Sequence, residues 1–456
     1  MHNHLLEEQQ SAVTPLYLLT PNLLQHWLKA ADPAIAAQVR ANQFKARAGE
    51  VFFVPGKAGS QIALAGLGDL GCEINLARLP ALLADGDYVL HFAPGGLDRT
   101  RLAFHWLLGC YRFEPYQRKK SKLPRLLVVG ADRDTANAQG SAIKLARDLI
   151  NTPASDMGTE ALEQAVCDLG KTFGAEVTSI VGDDLLDQNY PMIHAVGRAA
   201  EQAPRLVHLV WGDEDHPAIS LVGKGVVFDT GGLNIKSGNF MKLMKKDMGG
   251  AANALALAQM IMQAKLPVFL NVFIPIVDNA IAGNAYRPSD VLASRAGMSV
   301  EIDNTDAEGR LILADALTRA VEDQPELLID FATLTGAART ALGPELAPFY
   351  TGVEDWAKRL EAAAITAGDP VWRMPLWAGY DSMLDSNIAD ICHTASSPMA
   401  GSVTAALFLQ RFVGDTPWMH FDIYGWSPKD RPGQPTGGAA QGPLAVFAML
   451  REKYSG

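Results

Sequence analysis

Residues 218–264 read AISLVGKGVVFDTGGLNIKSGNFMKLMKKDMGGAANALALAQMIMQA. The stretch opens with an apolar, β-branched run (218–229), passes through a Gly-rich charged loop, and continues as a small-residue and Leu/Met pattern of helical length (249–264). A second strand-like run, PVFLNVFIPIV (267–277), follows at once, and LVHLVWG (206–212) precedes it. Further on, the helical GRLILADALTRAVED (309–323) is followed by the strand-like ELLIDFATL (326–334). This alternation predicts a largely parallel sheet covered by helices on both faces. Ligand sites in such sheets lie beyond the carboxyl ends of strands, so the loops that follow strands carry the search for function.

Working outward, residues 1–140 predict a smaller α/β unit. Its strands are VFFVP (51–55), QIALAG (61–66), YVLHFA (88–93) and RLLVVGA (125–131), with helical patterns at 80–84, where Pro80 suits a first turn, and at 101–108. A helix over 140–150 running into Asn151-Thr152-Pro153 marks the junction. The expected organisation is an N-terminal α/β domain (1–140), a linking helix and turn (141–160), and a larger C-terminal domain (161–456) with a central mixed sheet flanked by helices. At 456 residues, 48% hydrophobic and 20% charged, the chain can bury two cores. With 39 Lys+Arg against 50 Asp+Glu its net charge is -11, the wrong sign for wrapping a polyanion. Four scattered cysteines without a CxxC pair exclude a disulfide framework and a thiolate zinc site. No basic-then-apolar leader is apparent, and the longest nearly uncharged apolar stretch (266–277) is too short to cross a bilayer. A soluble, cytoplasmic protein with no membrane partner is the expectation.

Two strand exits concentrate charge, 222–252 and EIDNTDAEGRLILADAL (301–317). Asp306 and Glu308 stand two apart, so in an extended stretch their carboxylates share a side and repel unless a multivalent cation lies between them. Arg310 follows at the start of a helix whose N-terminus favours anions. Upstream, Asp229 ends a strand and Asp247 precedes a helix. Lys224, between Gly223 and Gly225, converges with Asp229 only if the strand kinks there. A lysine held against a dication must be neutral, whereas Lys236 in the loop can stay protonated as an electrophile. Ligands that are mostly oxygen, without Cys or His, suit Zn²⁺, Mn²⁺ or Mg²⁺.

These segments resemble the signature regions of the leucyl (cytosol) aminopeptidase family, two-metal exopeptidases with an NTDAEGR motif. NTDAEGRL stands intact at 304–311, and the upstream GKG…FDTGG…K…DMGGAA at 223–252. Similarity continues through ATLTGA (332–337), GSVTAALFL (401–409) and WMHFDI (418–423), with a weaker likeness at YRFEPYQRKK (111–120). The resemblance implies that Asp229 and Glu308 bridge two metal ions, zinc or manganese. Lys224 and Asp247 would complete one site, and Asp306, through side chain and carbonyl, the other. Lys236 would polarise the scissile carbonyl, and Arg310 would hold a bicarbonate acting as general base on the bridging water. Met244, Thr333, Leu334 and Gly336 match positions lining the pocket for the first side chain. The implied activity is removal of N-terminal residues, leucine and other apolar ones foremost, from peptides with a free amino terminus, in a homohexamer. Alternatives are a DNA-binding or structural relative and a narrow dipeptidase such as a Cys-Gly hydrolase.

Other features read more plainly. Lys245 and Lys246 are expected to be solvated or salt-bridged, and Met241, Met244 and Met248 to be core or pocket wall. Lys242 stands where the family often has an acid, and His2 and His4 fall outside its pattern. GLGDLG (66–71) is expected to be a strand-to-helix turn rather than a dinucleotide loop. His393 and His420 should be satisfied polar residues, and no HExxH helix occurs. The basic run Arg118, Lys119, Lys120, Lys122, Arg125 should be a solvated face, which with the acidic balance makes nucleic acid an unexpected partner.

Overall fold

The computed structural model describes residues 4–8, 13–56, 60–69 and 72–455. His2 and the last two residues of GLGDLG lie outside them. The chain divides into two compact units, residues 1–144 with 429–436, and residues 145–428 with 437–456.

In the first unit a five-stranded sheet runs in the order Val51–Pro55, Gln61–Gly66, Thr14–Leu19, Asp87–Phe92, Arg125–Leu127. Only the first pairing is antiparallel. Local chemistry sets the helices: Thr20, Asp32 and Asp98 cap Pro21–Ala30, Pro33–Ala41 and Arg99–Cys110 by accepting from backbone N–H groups of the first turn. Pro80 departs from expectation. It sits near the end of a 3-10 helix, Glu73–Ala81, not in a first turn. The strand at 125 stops at Leu127, and the junction helix begins earlier than its periodicity suggested, spanning Arg133–Asn151. After Gly66, Gly68 takes the left-handed region.

In the second unit a mixed sheet, nine-stranded among the described residues, carries the site. Eight of them run in the order Val371–Arg373, Ala347–Tyr350, Trp418–Asp422, Leu327–Ala332, Ala218–Gly223, Phe269–Asn279, Arg205–Trp211, Glu176–Val181, and the ninth, Gly225–Asp229, pairs with Phe269–Asn279 off that path. The central strands are parallel and the flanking pairings include antiparallel ones. Helices Gly249–Gln263 and Glu308–Glu322, buried along most of their length, pack on it.

The run at 218–229 is two strands, not one. Ala218–Gly223 and Gly225–Asp229 both pair with Phe269–Asn279 and are separated at Lys224. There the backbone is shared out: Lys224 N–H donates to Phe331 O (3.0 Å), and Lys224 O accepts from Ala251 N–H (2.9 Å). This is the kink that the flanking glycines permit. Two more glycines close the packing around it. A Cβ on Gly250 would stand 2.1 Å from Phe331 O, and one on Gly309 would stand 2.4 Å from Lys224 Cε. Any larger residue at either position drives the helices off the lysine.

Candidate metal centre

The strand Gly225–Asp229 delivers Asp229 at its end, and the turn before Gly249–Gln263 delivers Asp247. Asp306 and Glu308 come together differently from the extended pairing expected. Asp306 lies in a turn closed by Ala307 N–H to Asn304 O (3.0 Å), and Glu308 is the first residue of its helix. Carboxylate oxygens of Asp229, Asp306 and Glu308 fall within 4.8 Å of one another.

Lys224, 2% exposed, donates to Asp247 Oδ2 (2.6 Å) and Thr333 O (3.1 Å), and its Nζ lies 2.9 Å from Glu308 Oε1. Burial pulls its pKa down, but Asp247, Glu308 and Asp229 outweigh that and hold the ammonium well above its ordinary value. Lys236 pairs with Asp229 Oδ2 (2.7 Å) and with Asp306, and those acids likewise outweigh its burial and raise it. Four carboxylates thus meet two ammonium groups. Glu308, 1% exposed, is paired with the Lys224 ammonium at Oε1 and has no well-aligned hydrogen-bond donor on either oxygen, and burial with the nearby Asp229 charge pushes it up to about 8. Asp306 is raised by the same two causes. An anionic cluster with unsatisfied buried oxygens is what a hard or borderline divalent cation neutralises, so the donor set fits the metal ions that the sequence implied.

Supporting residues hold these acids in place. Asp229 Oδ1 accepts from Gly231 N–H and from Asn279 Nδ2 (both 2.8 Å), and Asn279 also donates to Thr305 O (3.1 Å). Thr305 Oγ1 donates to Gly231 O (2.6 Å) and accepts from Asn234 N–H (2.8 Å), and Tyr286 Oη donates to Thr305 O (2.7 Å). Thr305 is the middle residue of the NTD triplet, so its place was available in the sequence. Asn279 and Tyr286 carried no such signal. Asp422, also missed, accepts from Leu334 N–H (3.1 Å), Thr335 N–H (2.9 Å), Thr335 Oγ1 (2.6 Å) and Ser402 Oγ (2.7 Å), and so fixes the loop after Leu327–Ala332.

That loop brings Thr333 to the cluster, with Leu334 and Gly336 following it in the chain. Thr333 Oγ1 donates to Asp247 Oδ1 (2.8 Å). Met244 is 7% exposed and Met248 fully buried, as core or wall should be. Arg310 is buried, and burial pulls its pKa down to about 10. Its Nη1 donates to His393 O (2.6 Å) while its Nε meets no acceptor. His393 and His420 are polar residues with partners: His393 Nε2 lies 2.8 Å from Asn304 O, and His420 Nδ1 lies 2.6 Å from Asp330 Oδ1. Lys246 departs from expectation. It is 1% exposed rather than solvated, because the 3-10 turn Met244–Lys246 carries it inward. Lys245 donates to Asn151 O (2.5 Å), and the basic run from Arg118 is exposed, with Arg125 paired to Asp87 at 2.7 Å.

Residues 144–446 match the catalytic domain of the cytosol aminopeptidase family, and residues 14–129 match the M17 aminopeptidase N-terminal domain. The chain belongs to the cytosol aminopeptidase family. It is therefore an aminopeptidase, a hydrolase of a metallopeptidase family. The probable cytosol aminopeptidase of Syntrophotalea carbinolica is 35% identical over 94% of each chain. The crystal structure of the cytosol aminopeptidase from Coxiella burnetii is 43% identical, covers 99% of this chain and 100% of its own, and superposes with a TM-score of 0.95. The bottromycin maturation enzyme BotP in complex with Mn is 30% identical over 97% of this chain and 100% of its own, with a TM-score of 0.87. Among the described residues no helix is long and apolar enough to cross a membrane.

Proposed function

We propose that the protein is a two-metal aminopeptidase of the cytoplasm, a homohexamer like the family it resembles, that releases leucine and other apolar residues from peptides with a free amino terminus. The observation that carries this reading is the buried Glu308 carboxylate, set against the Asp229 and Asp306 carboxylates with the Lys224 ammonium at one oxygen and no well-aligned donor on the other. Asp229 and Glu308 would hold both ions. Lys224 and Asp247 would complete one site and Asp306 the other, with zinc or manganese as occupants. Bound there, the ions would supply Lewis acidity toward the free amine, an attacking water and the developing oxyanion.

The chain's own groups supply the rest. Lys236 pairs with carboxylates that the ions would neutralise, so loading frees its ammonium to meet the scissile carbonyl oxygen and the charge that grows there. Arg310, with a buried Nε that meets no acceptor, is suited to hold a bicarbonate at the mouth of the Glu308 helix, where that anion can take a proton from water. Met244, Thr333, Leu334 and Gly336 would receive the first side chain.

The test is leucine release from leucinamide by chelator-stripped protein reloaded with Mn²⁺ or Zn²⁺, beside N-acetyl-leucinamide. Metal-dependent release from the free amine alone is the expected result. Release from the acetylated substrate, or without metal, would overturn it.

A further inference from the structure

Lys246 and Arg339 take no part in the metal cluster or the hydrolytic step. Lys246 is almost fully buried, yet its ammonium makes no ion pair or hydrogen bond, and Asp247 acts on it only at longer range. It lies over the face of Tyr424, with Nζ 5.1 Å from the ring centroid. Arg339, half-buried on the helix Gly336–Leu342, has its guanidinium 5.4 Å from the same ring and likewise no carboxylate partner. An aromatic face recovers only part of what a buried cation loses on leaving water. In a chain with a net charge of -11, carboxylates to pair with them are in excess, yet none does.

Their position supplies the reason. Lys246 follows Met244 by two residues on one turn. Arg339 lies one helical turn beyond Gly336, its Nη2 3.5 Å from where a Cβ on that glycine would sit. Gly425, next to Tyr424, packs on Thr333, whose Cγ2 is 3.1 Å from a Cβ built there. Arg339 therefore borders Gly336, Tyr424 adjoins the glycine that packs on Thr333, and both cations face the Tyr424 ring.

We propose that Lys246, Arg339 and Tyr424 recognise a carboxylate on the first residue, so that the enzyme removes N-terminal glutamate as well as leucine. This deepens the aminopeptidase reading and rests on it. The methylene stem of glutamate is as apolar as leucine and suits the same Met244 and Leu334 wall. Its carboxylate supplies the anion that both cations lack, in charge-assisted contacts, and accepts from the Tyr424 hydroxyl. Leucine brings no polar group that needs a partner, so it enters as well.

The test uses the full, metal-loaded chain and three substrates, the α-amides of glutamate, glutamine and leucine. Glutamine has the shape of glutamate without the charge. The glutamate amide should exceed the glutamine amide by ~10-fold or more in kcat/KM. That gap should shrink in Lys246→Met, in Arg339→Met and with added salt, and reading it as a ratio cancels any effect of the Lys246 change on the adjacent Asp247. Because the first comparison needs only the unaltered protein, it stands even if a variant fails to fold. Glutamine turned over as well as glutamate, with leucine still released, would overturn the inference alone. No release from any of the three would overturn the aminopeptidase reading and the inference with it.

Discussion

Glu308→Gln should make the metal-free protein more stable while abolishing its activity. In the folded chain Glu308 is 1% exposed and sits beside Asp229, and these push its carboxyl from 4.5 to about 8. The unfolded chain ionises near the ordinary value. Between those two pH values the folded state holds a proton that the unfolded state has lost, so the stability contributed by this group falls as pH rises through the window. At 1.36 kcal/mol per pH unit, the penalty reaches at most about 4–5 kcal/mol above pH 8. Part of it is offset in the wild type by the Lys224 ammonium 2.9 Å away, which a glutamine amide oxygen replaces only partly. The net gain for the variant is about 1–3 kcal/mol at about pH 8, a rise of a few degrees in unfolding midpoint, shrinking toward zero at about pH 5. The assay is thermal or urea unfolding of chelator-treated wild type and variant at both pH values. Adding Mn²⁺ should reverse the order, because only the wild type gains from mass-action binding. A variant less stable than wild type at pH 8 without metal, or a gain that does not change with pH, would refute the reasoning.

Other outcomes follow from the same charges. Metal binding must displace the Lys224 proton and the proton on Glu308, so loading at about pH 7 should release about one to two protons per chain; calorimetry that gives the same heat in buffers of different ionisation enthalpy would contradict this. Lys236→Met should lower kcat for leucinamide by ~10²–10³-fold with metal content by mass spectrometry unchanged, since it removes one electrostatic contact to the transition state; a fall of less than about threefold would remove Lys236 from the hydrolytic step. Lys119→Ala, on an exposed face, should leave peptidase activity within about twofold, and micromolar protein should not retard duplex DNA at physiological salt.

How far this molecule could be read from its sequence varies with the range of the interaction. Strands and helices around 218–334 followed from local periodicity, and the break at Lys224 followed from its flanking glycines. The four acids and two lysines of the cluster were legible because each sits at a strand exit or helix start within an intact motif. What was not legible depends on contacts distant in sequence. Asp422 lies 88 residues from Leu334, whose N–H it accepts, and Asn279 lies 50 from Asp229. Lys246 read as solvated because a lysine beside an aspartate ordinarily is. Only the placement of the 3-10 turn against Tyr424 buries it. Likewise, nothing local says that 429–436 keeps company with the first unit.

The account turns on two ions held by five side chains, and crystals grown with Mn²⁺ would test that most directly. Anomalous scattering should give two peaks per chain, one against Lys224 and Asp247, the other against Asp306, with Asp229 and Glu308 between them. A single peak, or ions bound away from Glu308, would contradict it.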